Sequence, residues 1–211
     1  MIKLICFDLW NTLATRKKSP LTSSVRELEI AFNIKEDHKK VVKAFESIIQ
    51  TKEWSNEFEA YSKFLLHFKI KPTFSNVMKA IKIREDSEYN VVLYDFTISL
   101  LKQIKDLNIK TGLISNSSVF VIKNVKKKTD LFNYIDYPLF SFDVKTIKPD
   151  PKIYEEMLKR SKVKPEEMIM IGDNPLDDVY PAINMGINAI EFTGDYEKLK
   201  KDLKKFKIII K

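Results

Sequence analysis

The chain of 211 residues contains one cysteine, two histidines and four arginines, and no long hydrophobic run. Cys6 has no partner for an internal bridge. It lies inside the apolar stretch Ile2–Phe7, where a buried core thiol is expected, because a nucleophilic thiol needs exposure and a cationic neighbour. His38 and His67 show no metal-ligand spacing and read as isolated surface or packing residues. A membrane span needs about 20 consecutive apolar residues, and none is present. The stretch Met1–Phe7 is too short for the apolar region of a signal peptide and runs directly into Asp8. Together these features predict a reduced, cytoplasmic setting. No internal repeat or low-complexity linker is visible.

Lysine, by contrast, is abundant. Of 37 cationic side chains 33 are Lys, against 29 acids, giving a net charge of +8. Clustered cations neutralise phosphates, so a nucleic-acid partner has to be considered. The two dense stretches, Lys123–Lys128 and Lys198–Lys207, argue against one. In the second, Leu199, Leu203 and Phe206 recur at helical spacing, which makes the lysines the solvated face of an amphipathic helix. The scarcity of Arg also disfavours base readout, where the planar guanidinium fork is preferred. No nucleic-acid or membrane partner is expected. The length suits one domain carrying a small insert, burying roughly 70% of its extended surface without disulfide or metal.

Hydrophobic spacing then gives the organisation. Residues 2–7 read as a buried strand, ended by Asp8 and a turn at Trp10-Asn11-Thr12 in which Asn11 can take a positive φ. From about Arg16 to Asp86 four helical stripes follow: one after a Ser23/Ser24 cap (Val25, Leu28, Ala31), then Val41–Ile49, then Phe58–Phe68, then Val77, Met78 and Ile81. Beyond Glu88 the pattern alternates. Helices are expected over 96–107, 119–125, 151–162, 179–185 and the Lys-rich stretch. Strands are expected over 110–115, 139–142, 168–172 and 187–192, with a last short apolar run at 208–210. Such alternation predicts an α/β fold with a parallel sheet and helices on both faces, binding ligands at the carboxyl ends of its strands. The expected domains are 1–15 with 88–211, forming the α/β core, and 16–87, forming a helical cap inserted over that edge.

Polar residues gather at the predicted strand ends. Asp8 ends the first, Ser115-Asn116 another, Lys148-Pro149-Asp150-Pro151 follows a third, and Gly172-Asp173 with Asp177 and Asp178 follows a fourth. Each alone is an ordinary turn, cap or surface feature. Occurring in order, the set resembles the haloacid dehalogenase-like (HAD) hydrolase superfamily, and the resemblance covers essentially everything outside the helical insert. It implies a Rossmann-like sheet with a helical cap, and a covalent mechanism with Asp8 as nucleophile. Asp8, the Trp10 backbone carbonyl and Asp173 would hold Mg²⁺, supported by Asp178 or, second, Asp177. Lys148 would offset charge between nucleophile and phosphoryl group, and Ser115 and the Asn116 N–H would bind phosphoryl oxygens.

One position departs from the pattern. The family's phosphatases carry a second aspartate two residues after the nucleophile, and this chain has Trp10. Indole has no proton to give in the useful pH range, whereas the backbone carbonyl survives the change. The leading expectation is a Mg²⁺-dependent phosphatase for a small phosphorylated metabolite. The alternatives are a metal-free 2-haloacid dehalogenase, whose halide-cradling arginine would have to be Arg16, Arg26 or Arg84, and a catalytically weak binding or regulatory protein.

Overall fold

The computed structural model describes residues 1–16 and 23–211; the part of the expected insert at 17–22 lies outside the described residues. Five parallel strands form the main sheet: β1 (Leu4–Phe7), β4 (Lys110–Ser115), β5 (Tyr137–Phe140), β6 (Met168–Gly172) and β7 (Asn188–Glu191), in the order β5-β4-β1-β6-β7. A second, antiparallel pair joins β2 (Ala14–Arg16) to β3 (Val91–Leu93).

The period-2 alternation of strands sorts the core into two layers. Ile5, Phe7, Leu113, Ile169 and Ile171 point to one face. There they meet α5 (Thr97–Asp106), α6 (Val119–Lys128) and α10 (Tyr196–Lys205). Leu4, Cys6, Ile114, Met168 and Met170 point to the other, against α8 (Pro151–Ser161) and α9 (Tyr180–Asn184). Cys6 is fully buried. On α10, Leu199 and Leu203 are buried while Lys198, Lys200 and Lys205 pair with acids on their own helix.

The stretch between β2 and β3 is helical. Its elements are α1 (Ser24–Phe32), α2 (His38–Phe45), a π-helical turn at Glu46–Gln50, α3 (Glu57–His67) and α4 (Phe74–Glu88). Ser23 caps α1 by accepting from the Arg26 N–H, as the sequence suggests. These helices share their own apolar cluster, with Leu28, Val41, Phe45, Ile49, Phe64, Leu65 and Val77 at its centre.

Several expectations need correction. Phe58 and Met78 are 40% and 42% exposed rather than packed inside. His38 is not isolated: its Nδ1 lies 2.5 Å from the buried Glu29 carboxylate, which also pairs with Arg26. The strand expected at 139–142 runs instead over Tyr137–Phe140, and Ser141 begins the short helix α7 (Ser141–Val144) because the Asp143 carboxylate accepts from the Phe140 N–H. The helix expected from Val179 starts earlier, as a π-helical turn over Pro175–Val179 that α9 continues. The last apolar run, 208–210, is irregular and buries Ile208 and Ile210. The pair β2–β3 was not anticipated, since three-residue strands carry too little alternation to show.

Gly112, opposite Cys6 in the β1–β4 register, shows how tightly the sheet is packed. A Cβ there would fall 2.3 Å from Cys6 Sγ, with the next nearest atoms, those of Met157, at 3.4 Å. Gly112→Ala is therefore expected to destabilise the fold by about 1–3 kcal/mol through overpacking. In a Cys6→Ala background the cost should vanish, and a double-mutant cycle read by denaturant unfolding would reveal the coupling. Equal costs in the two backgrounds would disprove the steric origin.

Candidate active site

The topology brings three strand ends together. β1 is flanked by β4 and β6, and successive connections run to opposite sides of it, so a crevice opens where the order reverses. Asp8 leaves β1 with its N–H donating to the Ile171 carbonyl of β6 (2.8 Å). The turn that follows is closed by the Leu9 carbonyl, which accepts from the Leu13 and Ala14 N–H groups, and Asn11 takes φ 54°.

Asp8, Asp173 and Asp178 present carboxylate oxygens that all lie within 4.8 Å of one another. Asp8 and Asp178 are buried and Asp173 is half-buried. Lys148, itself 4% exposed, places its Nζ 2.6 Å from Asp8 Oδ1 and 2.5 Å from Asp178 Oδ1. Asp177, the other acid of that turn, accepts from the Asn174 side chain instead (2.6 Å). Asp178 can reach inward because Gly172 has no side chain: a Cβ there would sit 2.2 Å from Asp178 Oδ2.

Two features of this cluster were not legible beforehand. The Asn116 side chain grips the Lys148 backbone at both ends, donating to its carbonyl (3.0 Å) and accepting from its N–H (2.8 Å). Ser117 forms a hub: its hydroxyl accepts from the Trp10 indole N–H (3.0 Å) and lies 2.9 Å from the Ser115 hydroxyl. Its N–H donates to Ser141 Oγ (3.2 Å), and Ser141 donates to the Gln50 carbonyl in the helical insert (2.7 Å). The run of small polar residues Ser115–Ser118 was the available signal. Arg16 lies with its guanidinium carbon 4.8 Å from the centre of the Trp10 ring.

The electrostatics follow from burial. Desolvation pushes the Asp8 carboxyl up to about 7; the Lys148 ammonium opposes this, and Asp178 and Asp173 add to it. Burial also raises Asp173 and Asp177. For Lys148, burial works against its charge, but Asp8 and Asp178 outweigh it and hold the ammonium well above the ordinary lysine value. Three converging carboxylates with hard oxygen donors suit a small divalent cation. A cavity of 330 Å³ reaches Lys148 and Asp177 from the side of α2. A larger hollow of 580 Å³, lined by Phe32, Lys40 and Phe68 among others, includes none of these acids.

A doubly wound sheet with an acid at the end of its central strand, facing a buried lysine and further acids, defines a class of α/β hydrolases. The haloacid dehalogenase-like hydrolase family model matches residues 2–186, and the chain belongs to that family. It is 26% identical to the rhythmically expressed gene 2 protein of Drosophila melanogaster, over 87% of this chain and 80% of that one. It is 33% identical to a glyceraldehyde 3-phosphate phosphatase of Pyrococcus furiosus, over 50% of this chain and 45% of that one. The fold matches a HAD phosphatase from Thermococcus onnurineus (TM-score 0.61, 23% identity, 96% and 98% of the two chains covered). It also matches a HAD family enzyme of Bacteroides thetaiotaomicron solved with magnesium and inorganic phosphate (TM-score 0.67, 16% identity, 94% and 99% covered). Among the described residues no helix is long and apolar enough to cross a membrane.

The Asp8 shift has a sign that can be checked without substrate. Between 3.8 and about 7 the folded chain holds the Asp8 proton more tightly than the unfolded chain. Asp8 therefore contributes a stability that is fully present at low pH and is lost as pH rises through that window. In EDTA, Asp8→Asn should melt higher than wild type above this window, and the difference should shrink on acidification. A pH-independent difference in melting temperature would contradict the assignment.

Proposed function

We propose that the protein is a Mg²⁺-dependent phosphatase that hydrolyses a small phosphorylated metabolite through a covalent intermediate on Asp8. The observation that carries this reading is the cluster of Asp8, Asp173 and Asp178, with Lys148 paired to Asp8 and Asp178. A metal-free dehalogenase would have no use for the metal-binding acid that Asp173 supplies beside the nucleophile. Two of the three candidate arginines also fit that reaction poorly: Arg84 is buried against the Phe45 ring and donates to Ser24, and Arg26 pairs with Glu29, whereas Arg16 lies over Trp10 beside the site.

In this reading Asp8, Asp173 and the Trp10 carbonyl, with Asp178 in support, would hold Mg²⁺. When bound, the ion would supply positive charge that offsets the repulsion between the Asp8 carboxylate and an anionic phosphoryl group. Asp8 attacks phosphorus, dividing one difficult displacement into two easier ones. Lys148 neutralises charge on the line between nucleophile and phosphoryl group, a preorganised effect because its ammonium is already desolvated and aimed. The Ser115 hydroxyl and the Asn116 N–H receive phosphoryl oxygens, and the Asn116 side chain holds the lysine in register. The division into an α/β core (1–15 and 88–211) and a helical cap (16–87) belongs to the same proposal, with the cap selecting substrate. Named relatives support the substrate class, among them the Pyrococcus furiosus phosphatase and a Bacillus cereus pyrophosphatase.

p-Nitrophenyl phosphate should be turned over with Mg²⁺, halted by EDTA and restored by added Mg²⁺. Asp8→Asn should reduce turnover to background; retained activity would remove Asp8 from its role, and metal-independent halide release from a 2-haloacid would replace the reading altogether. Gly172→Ala, by displacing Asp178, should weaken Mg²⁺ binding in calorimetric titration by roughly 10–100-fold.

A further inference from the structure

Expelling an alcohol from a phosphate ester leaves an alkoxide that needs a proton. Trp10 cannot give one, and its indole N–H is engaged with Ser117. A carboxyl group on the helical insert, in a cavity that reaches Lys148 and Asp177, is differently placed. Glu46 opens the π-helical turn that continues α2, and π-helical turns are concentrated at functional sites. Its far end, Gln50, is tied through its carbonyl to Ser141, next to Ser117. Glu46 lines the 330 Å³ cavity together with Lys148, Val42, Ile147, Pro149 and Asp177. Among the described residues its carboxyl group makes no ion pair and no side-chain hydrogen bond, so nothing in the fold accounts for it.

We propose that Glu46 is the proton donor to the leaving oxygen, taking the part that Trp10 cannot play. The inference rests on the phosphatase reading above and assigns the substrate class as phosphate monoesters of alcohols, with the alcohol lodged in this cavity. In the first step the bond from Asp8 to phosphorus forms and the ester P–O bond breaks, its electron pair passing to the leaving oxygen, which takes the Glu46 proton. In the second step water attacks phosphorus, the bond to Asp8 breaks, and the Glu46 carboxylate takes the water's proton, restoring both residues. Burial, and next the charge of Asp177 opposite, favour the protonated form of Glu46. The other charged groups facing this cavity are His38, Lys39 and Lys43 on its own helix and Lys148 across from it.

The test is to measure kcat with Mg²⁺ across pH for wild type, Glu46→Gln and Glu46→Asp, on glycerol phosphate and on p-nitrophenyl phosphate, whose phenolate leaves without help. Glu46→Gln should lower turnover of the alkyl ester by about 10²–10⁴-fold. Its effect on the aryl ester should be at least tenfold smaller. It should also remove the alkaline limb of the alkyl pH profile, and Glu46→Asp should recover part of the loss. Equal losses on both esters, or an unchanged pH profile, would overturn the assignment, as would a wild type that cleaves the aryl ester and no alkyl ester. Failure of wild type on both esters would overturn the phosphatase reading with it. Melting curves matching wild type establish that the variants are folded.

Discussion

A single ammonium group holds the site together. Lys148 sits between Asp8 and Asp178 with almost no solvent contact, and its charge offsets the burial of both carboxylates. Desolvating an ion is costly, so a buried pair survives only where geometry is good and the remaining hydrogen-bonding positions are filled. The surrounding structure meets that demand in detail. Asn116 fixes the lysine backbone from both sides, Gly172 leaves room for the Asp178 carboxylate, and the Ile171 carbonyl takes the Asp8 N–H. Removing the ammonium would leave like charges confined together, so it is a structural requirement of the cluster.

A second network gives Trp10 its place. Ser117 connects the indole to Ser115 and, through Ser141, to the Gln50 carbonyl of the insert. The residue standing where the family's phosphatases carry an acid is therefore a fixed wall joined to the elements around it. A large aromatic ring that is both hydrogen-bonded and faced by the Arg16 guanidinium has little freedom to swing away. The same chain of contacts couples the helical section to the strand that carries Ser115, so a shift of the π-helical turn is felt at the crevice floor.

How much of this could be read beforehand depends on the physics behind each feature. The strands β4 and β6 matched their expected limits and β1 fell within its own, because each is an apolar run ended by a polar residue. The helices α1 to α4 were visible through 3.6-residue spacing, although Phe58 and Met78 face outward. The π-helical turns were not visible, since a single turn of a different pitch leaves no period to detect. That mattered most at Asp177 and Asp178, adjacent acids that periodicity cannot separate. Their separation comes from Gly172 and from the Asn174 side chain, which engages Asp177. The grip of Asn116 on Lys148 joins residues far apart in sequence and exists only once the strands are assembled. Equally, the four arginines carried no positional signal, yet one lies on Trp10 and another inside the helical cluster.

The short pair β2–β3 sets a boundary condition on the whole molecule. Arg16 and Val91 are register partners, so the chain departs from the sheet and comes back at one point. Whatever is threaded between them closes a loop whose ends are already fastened, and the entropy of closing such a loop grows only logarithmically with its length. Extra length within the helical section therefore adds little to the cost of closing that loop. Fastened at both ends by β2 and β3, the insert is free to differ in length from the strands that carry the acids.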